Sequence, residues 1–286
     1  MITMVQRHLN ISILAVGTAL FFLYALQPSI AQTKGDWLRL EPGLDLGTLV
    51  SPRKSNVGDS LIQILRIDPS KFEFRLLNAS APNYGQRLSA KEWSLNKGLV
   101  AAINASMYQA DLVTSVSMMK TRNHVNNKWV SKDNTFLAFD PLDKSLPPVR
   151  IIDRECDNLS RLRKQYGTII QSIRMVSCQG KNVWKPQSKK WSTAAIGMDK
   201  DNHVLFIHVR SPYTTYDLIN ILMGLPVGLQ QIMYVEGGSE AQMYINNGKE
   251  EYEFVGSYST GSNENDANHF AWPIPNVVGI VRASRS

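Results

Sequence analysis

Apolar and polar positions along most of this chain follow a period of two, broken by turn residues and by three short stretches with helical spacing. Residues 37–50 alternate around Gly43 and Gly47, which predicts two short strands. Residues 60–67 and 72–77 alternate more strongly. The turn residues Asp68, Pro69 and Ser70 between them predict a hairpin. Residues 88–96 change to helical spacing, with Ser89 as the N-cap, Trp93 on the inner face and Gly98 as the stop. Residues 99–103 are apolar without interruption, as expected of a strand buried on both faces, and they run into Asn104, Ala105, Ser106, Met107 and Tyr108.

The second half repeats this grammar. Residues 110–133 are polar and irregular, predicting a long loop with one strand near 116–120, of the kind that often rims a binding site. Strands are expected at 136–139, 149–152 and 168–176, and a helix capped by Asp157 carries Leu159, Leu162 and Tyr166 before Gly167 stops it. Residues 192–198 and 204–209 form a hairpin across Asp199-Lys200-Asp201-Asn202. A helix starting at Thr214 and Asp217 links the hairpin to a strand at 229–235, a strand–helix–strand unit that predicts one shared sheet. A hairpin around Asn247-Gly248, a Ser/Asn/Gly-rich loop at 257–268 and a strand at 276–282 close the chain. The class is α+β: a single domain, 32–286, with a mixed, strand-rich sheet flanked by a few short helices.

The first residues stand apart from this pattern. Residues 1–10 carry Arg7 and His8 but no acid, residues 11–26 are almost wholly apolar, and Ala31 ends a segment with small residues where a signal peptidase would cut. Residues 1–31 are therefore expected to be a secretory signal peptide, and the product to be exported, periplasmic or secreted. A membrane association follows only if that segment stays uncleaved. The chain has 286 residues and a formal charge of +7; removal of 1–31 takes away one arginine and no acid and leaves +6. That balance suits anionic substrates or mere solubility. Lys181, Lys185, Lys189 and Lys190, interleaved with Trp184 and Trp191, read as a solvated loop and no nucleic-acid surface. The two cysteines, Cys156 and Cys178, are expected to form one disulfide in an oxidising compartment. They are too few for a zinc site, no metal site or cofactor motif is present, and the oligomeric state is open.

Candidate chemistry concentrates where polar residues meet strand ends. In Tyr234-Val235-Glu236-Gly237-Gly238-Ser239 a buried strand delivers a carboxylate to a turn whose glycines allow close backbone approach. Asn104 ends the other buried strand in the same manner, with Tyr108 beyond it. Arg174 sits in an apolar run and needs an anion or carboxylate there, while His208 and Arg210 end another strand. Each has a plain structural reading as well: a turn amide, an ion pair, a buried imidazole. Ser239 lacks the Gly-x-Ser-x-Gly setting of a nucleophile elbow.

Five segments in order carry a resemblance to the phosphodiester glycosidase family, related to the enzyme that uncovers mannose 6-phosphate by removing N-acetylglucosamine. They are 101–108, 171–174, 195–198, 234–239 and 275–281, within about residues 97–283. The chain has Glu236 where the family usually has Asp, Thr193-Ala194 where it tends to have Arg-Thr, and Ser239 in place of a third glycine. The resemblance implies hydrolysis between a sugar and a phosphodiester, with a carbohydrate or sugar-phosphate as substrate. It implies Glu236 as acid/base with Asn104 and Arg174 in the catalytic set. Gly237, Gly238, Ser239, Arg210, His208 and Tyr108 would then hold the substrate. A second carboxylate is not identifiable, Asp111 and Asp217 being weak candidates. The competing expectation is an exported saccharide-binding or envelope-assembly protein that kept the fold without catalysis.

Overall fold

A computed structural model describes residues 36–284 apart from residue 83; the expected signal peptide, 1–31, lies outside the described residues. Among them no helix is long and apolar enough to cross a membrane. Two sheets carry the fold. The path of the larger is β1 (Asp36–Glu41), β2 (Leu44–Val50), β3 (Leu61–Ile67), β12 (Val204–Tyr213), β11 (Trp191–Asp199), β13 (Leu229–Gly237), β10 (Tyr166–Val176), β6 (Met119–Lys120) and β7 (Val125–Asn127). The hairpin β8 (Thr135–Pro141) and β9 (Val149–Asp153) branches from β10. The smaller sheet is β15 (Glu251–Val255), β14 (Gln242–Asn246), β5 (Ala101–Asn104), β16 (Asn276–Arg282) and β4 (Phe72–Asn78).

The sheets pack face to face. Leu65, Ile196, Phe206, Met233 and Val235 of the larger meet Phe74, Ile103, Met243, Ile245 and Val278 of the smaller in one apolar layer. The outer face of the large sheet is covered by helix α3 (Thr215–Gly224), whose Leu218, Ile219, Ile221 and Leu222 join Ile207, Ile232 and Tyr234. The outer face of the small sheet is covered by α1 (Ala90–Lys97), whose fully buried Trp93 packs with Leu77, Ala102 and Tyr244. Ser89 and Glu92 close a capping box at its start, and Gly98 at φ 62° ends it.

Several expectations change here. One strand-rich domain with few helices stands, but a single mixed sheet does not: there are two sheets, and every strand pairing between the described elements is antiparallel. Strands β3 and β4 are no hairpin. The Asp68–Lys71 turn carries the chain from one sheet to the other, so β3 pairs with β2 and β12 while β4 pairs with β16. Strands β12 and β13 do share a sheet, separated by β11, which pairs antiparallel with both. The helix at 157–166 shrinks to α2 (Leu159–Leu162), capped by Asn158, because Tyr166 and Gly167 already belong to β10. Asp157 instead accepts from Arg150 and from the Asp153 N–H. The expected disulfide is present: Cys156 and Cys178 are joined across a separation of 22 residues.

Candidate functional site

Strand β13 enters the sandwich as alternating core. Met233 and Val235 face the layer between the sheets, while Ile232 and Tyr234 face the α3 side. A register irregularity at Ala194 and Ala195 of β11 interrupts the two-residue period here, so Glu236 stands opposite Ala194 at the strand end and the following Gly237 is the residue aimed at the Tyr234 hydroxyl. Only 6% of Glu236 is exposed. Its Oε1 accepts from the Gly237 N–H at 2.9 Å, and Oε2 has no hydrogen-bond partner among the described residues. Burial pushes this carboxyl up to about 8, opposed by the Gly237 bond and reinforced by the negative charge of Glu240. A carboxylic acid that keeps its proton at neutral pH suits proton donation.

The two glycines have separate local reasons. A Cβ on Gly237 would lie 2.0 Å from the Tyr234 hydroxyl and 2.9 Å from Trp191 Cδ1, so only glycine fits. Gly238 turns the chain at φ +67°, in the left-handed region, and starts a single 3₁₀ turn through Glu240. That turn returns the chain under the site. The Glu240 side chain accepts from the Tyr108 hydroxyl at 2.6 Å. Burial, and then this bond and the Glu240 charge, push the Tyr108 phenol well up, so the hydroxyl stays a donor. Beside Gly237, the buried Trp191 Nε1 and Thr193 Oγ1 have no hydrogen-bond partner among the described residues.

Asn104 reaches the same turn from the smaller sheet. Its Nδ2 donates to the Glu240 carbonyl at 2.9 Å and its Oδ1 accepts from the Gln242 N–H at 2.6 Å. The amide is thus spent on holding the segment that carries Glu240. His208 holds the next link. Its buried Nε2 lies 3.2 Å from the Ala241 carbonyl, which can only accept, so the proton sits on Nε2. Burial lowers this imidazole to about 4, leaving it neutral.

Both candidate arginines are occupied elsewhere. Arg174 gives Nη1 to both Asp153 oxygens at 2.8 and 3.0 Å and Nη2 to Glu155 at 2.7 Å. Arg210 binds Asp266 through Nε at 2.6 Å and the carbonyls of Val255 and Asn268, which fastens the 257–268 loop. Ser239 donates to the Ser257 carbonyl at 2.9 Å, and its hydroxyl makes no hydrogen bond to a base among the described residues. The turn thus brings together Glu236, Gly237, Gly238, Asn104, Tyr108 and His208; the Arg174 and Arg210 side chains are drawn away by acids. Of the two weak second-carboxylate candidates, Asp111 caps its own turn through Val113 and Thr114, and Asp217 pairs with Arg53. The carboxylate beside Glu236 is Glu240. Its signal was a second acid four residues on in Glu-Gly-Gly-Ser-Glu.

No cofactor cradle is evident in this turn. Asp199, Asp201 and His203 gather possible metal-ligand atoms within 4.8 Å of one another. Asp199 is already taken by Arg66 at 3.3 Å and by His203 Nδ1 at 3.0 Å, and the cluster sits at the far end of β11 from Ala194. A cleft of about 620 Å³ lined by Arg150, Asp157, the disulfide and Leu229 also lies at the opposite end of β13. Size alone is therefore a poor guide to the chemistry here.

Against known proteins, residues 97–281 match the model of the NAGPA phosphodiester glycosidase family. The chain belongs to this family. A similar solved structure is the zebrafish N-acetylglucosamine-1-phosphodiester α-N-acetylglucosaminidase catalytic domain, auto-inhibited by its pro-peptide. It is 12% identical, with 87% of this chain and 88% of that one covered at a TM-score of 0.59. A hypothetical protein from Synechocystis is similar too, at 11% identity, 86% and 63% coverage and a TM-score of 0.55. No curated protein matches the sequence. At these identities the structural likeness speaks for the fold alone, and the five family-like segments fall on the family fold at β5, β10, β11, β13 and β16.

Proposed function

We propose that this protein hydrolyses the bond between a sugar's anomeric carbon and the oxygen of a phosphodiester, with Glu236 and Glu240 as its working carboxylates. The observation that carries the reading is Glu236, buried at a strand end with a single hydrogen bond from the Gly237 N–H, beside a Glu240 held by Tyr108, in a chain of the phosphodiester glycosidase family. Glycoside hydrolysis needs one carboxylic acid to protonate the departing oxygen and a second carboxylate to support the developing positive charge at the anomeric carbon. Glu236 supplies the proton through Oε2. Glu240 faces the sugar carbon, and the Tyr108 bond fixes its rotamer.

The bond that breaks joins the anomeric carbon to the phosphate oxygen. The proton of Glu236 goes to that oxygen, one water delivers its hydroxyl to carbon, and its remaining proton restores the carboxylate pair. The products are a free sugar and a phosphomonoester. Asn104 and His208 act at one remove, as positioning residues for the turn. The disulfide and the apolar leader support work in an oxidising, extracytoplasmic compartment, on an envelope or extracellular glycoconjugate.

The test is turnover of sugar-1-phosphodiesters, with release of the phosphomonoester followed by phosphorus NMR. Glu236→Gln and Glu240→Gln are each expected to lose about 10²–10⁴-fold in kcat, the usual weight of a positioned acid or base. Wild-type rates in a correctly folded Glu236→Gln protein would refute the assignment.

A further inference from the structure

A phosphodiester brings a negative charge toward two carboxyl groups, so the site needs a cation that no acid has already claimed. Arg174 is bound to Asp153 and Glu155, and Arg210 to Asp266. Arg87 is different. It is half-buried, it stands just ahead of the α1 capping box, and it forms no ion pair with an acid among the described residues. Its one hydrogen bond there is from Nη1 to the Pro273 carbonyl at 3.3 Å, which leaves most of the guanidinium donors unspent.

A short run of contacts ties Arg87 to the carboxylates. The next residue, Leu88, bridges to Ile274, and Ala90 N–H donates to Gln242 Oε1 at 2.9 Å. Gln242 in turn gives Nε2 to the Trp272 carbonyl at 2.6 Å and its own N–H to Asn104, the residue that holds the Glu240 carbonyl. The start of α1, the 272–274 segment and the Glu240 turn are therefore joined by hydrogen bonds into one corner. The Arg87 charge is felt at the Tyr108 hydroxyl, which bonds Glu240. The Trp272 indole, 49% exposed, stands on the same corner.

We propose that Arg87 is the residue that binds the substrate's phosphate and gives the site its preference for a phosphodiester over a neutral leaving group. This rests on the glycosidase reading above and adds to it the group that receives the anion. A guanidinium meets phosphate oxygens through paired N–H donors, a geometry an ammonium does not reproduce. Glu236 protonates the bridging oxygen while Arg87 holds the non-bridging ones.

The experiment uses the full chain and two substrates with the same sugar, one bearing a phosphodiester and one a neutral nitrophenyl group. Arg87→Ala is expected to lower kcat/KM for the phosphodiester by about ten- to a hundredfold, the usual weight of a hydrogen bond to a charged group. The change on the nitrophenyl glycoside is expected to stay under about threefold, and Arg87→Lys to fall in between on the phosphodiester. Inorganic phosphate is expected to compete with substrate in the wild type and to do so more weakly in Arg87→Ala. Equal losses on both substrates, or no loss on the phosphodiester, would overturn the role of Arg87 while leaving the glycosidase reading intact. If the wild type turns over neither substrate, that reading falls and Arg87 is judged by binding alone. Calorimetry with the uncleaved phosphodiester then decides, and equal affinity of wild type and Arg87→Ala removes the proposal.

Discussion

At the scale of single residues, the protein rests on two ionisable groups that burial drives away from charge, in opposite directions. Glu236 is held protonated up to about pH 8. If it is the acid, kcat falls as pH rises through about 8, and a pH–rate profile on a phosphodiester shows that limb; a limb near pH 5 instead would mean another group donates. The same shift has a stability consequence. The folded carboxyl keeps its proton where the unfolded one, near 4.5, has lost it, so this stabilising contribution is complete below about 4.5 and is lost as pH rises to about 8. Glu236→Gln does not titrate. Its stability is expected to gain on wild type across that window, by about a few kcal/mol at most, as a rise in melting temperature relative to wild type between pH 5 and pH 8.5 would show. His208 runs the other way. Its imidazole is lowered to about 4, so its contribution is present above about 6.5 and lost as pH falls toward 4. His208→Gln is expected to flatten the acid side of the stability profile.

At the scale of elements, the Glu236–Gln242 corner is where the two sheets are sewn together. Asn104→Ala removes a donor to the Glu240 carbonyl and an acceptor for the buried Gln242 N–H. The expected cost is about 2–4 kcal/mol in urea unfolding, because polar groups at the corner are left unpaired. The loss of activity should exceed what the loss of stability explains, since Glu240 loses its anchor. Gly237→Ala is expected to cost about 1–3 kcal/mol or more, since the added methyl meets the Tyr234 hydroxyl at 2.0 Å. These elements were largely legible beforehand. The Ser89 cap, the turn at Asp199–Asn202 and the doubly buried β5 follow from local chemistry that no tertiary contact opposes. The short α2 was not, because Leu159, Leu162 and Tyr166 have helical spacing but Tyr166 gains more by opening β10 opposite Pro141. Tertiary pairing overrode local period there.

At the scale of the whole molecule, two antiparallel sheets make a core between them, with a helix on each outer face, and the disulfide stands at the β9–β10 corner. Cys178 N–H donates to Asp153, the carboxylate that also binds Arg174, so bridge and ion pair brace the same corner. Reduction is expected to lower stability by about 3 kcal/mol on loop entropy alone, measured by denaturant unfolding with and without reductant. Activity at 25 °C should persist, because Glu236 lies about 16 Å along β13 from Gln231 at the disulfide end.

The sequence by itself determined most of the strands, the caps of α1 and α3, the cysteine pair and the family. It also singled out Glu236, because a carboxylate before two glycines at the end of an apolar strand has no local use. What tertiary structure alone decided is which charges are free. Arg174, Arg210 and Arg87 look alike as letters, yet Asp153 lies 21 residues before Arg174 and Asp266 lies 56 after Arg210. Only folding brings those acids close enough to neutralise them and leaves Arg87 without an acid partner among the described residues. The same holds for Glu240. Its place beside Glu236 depends on Gly238 turning the chain and on Asn104 arriving from the other sheet, 136 residues away. Local propensity writes the rails, and long-range pairing selects which side chains on them remain available for chemistry.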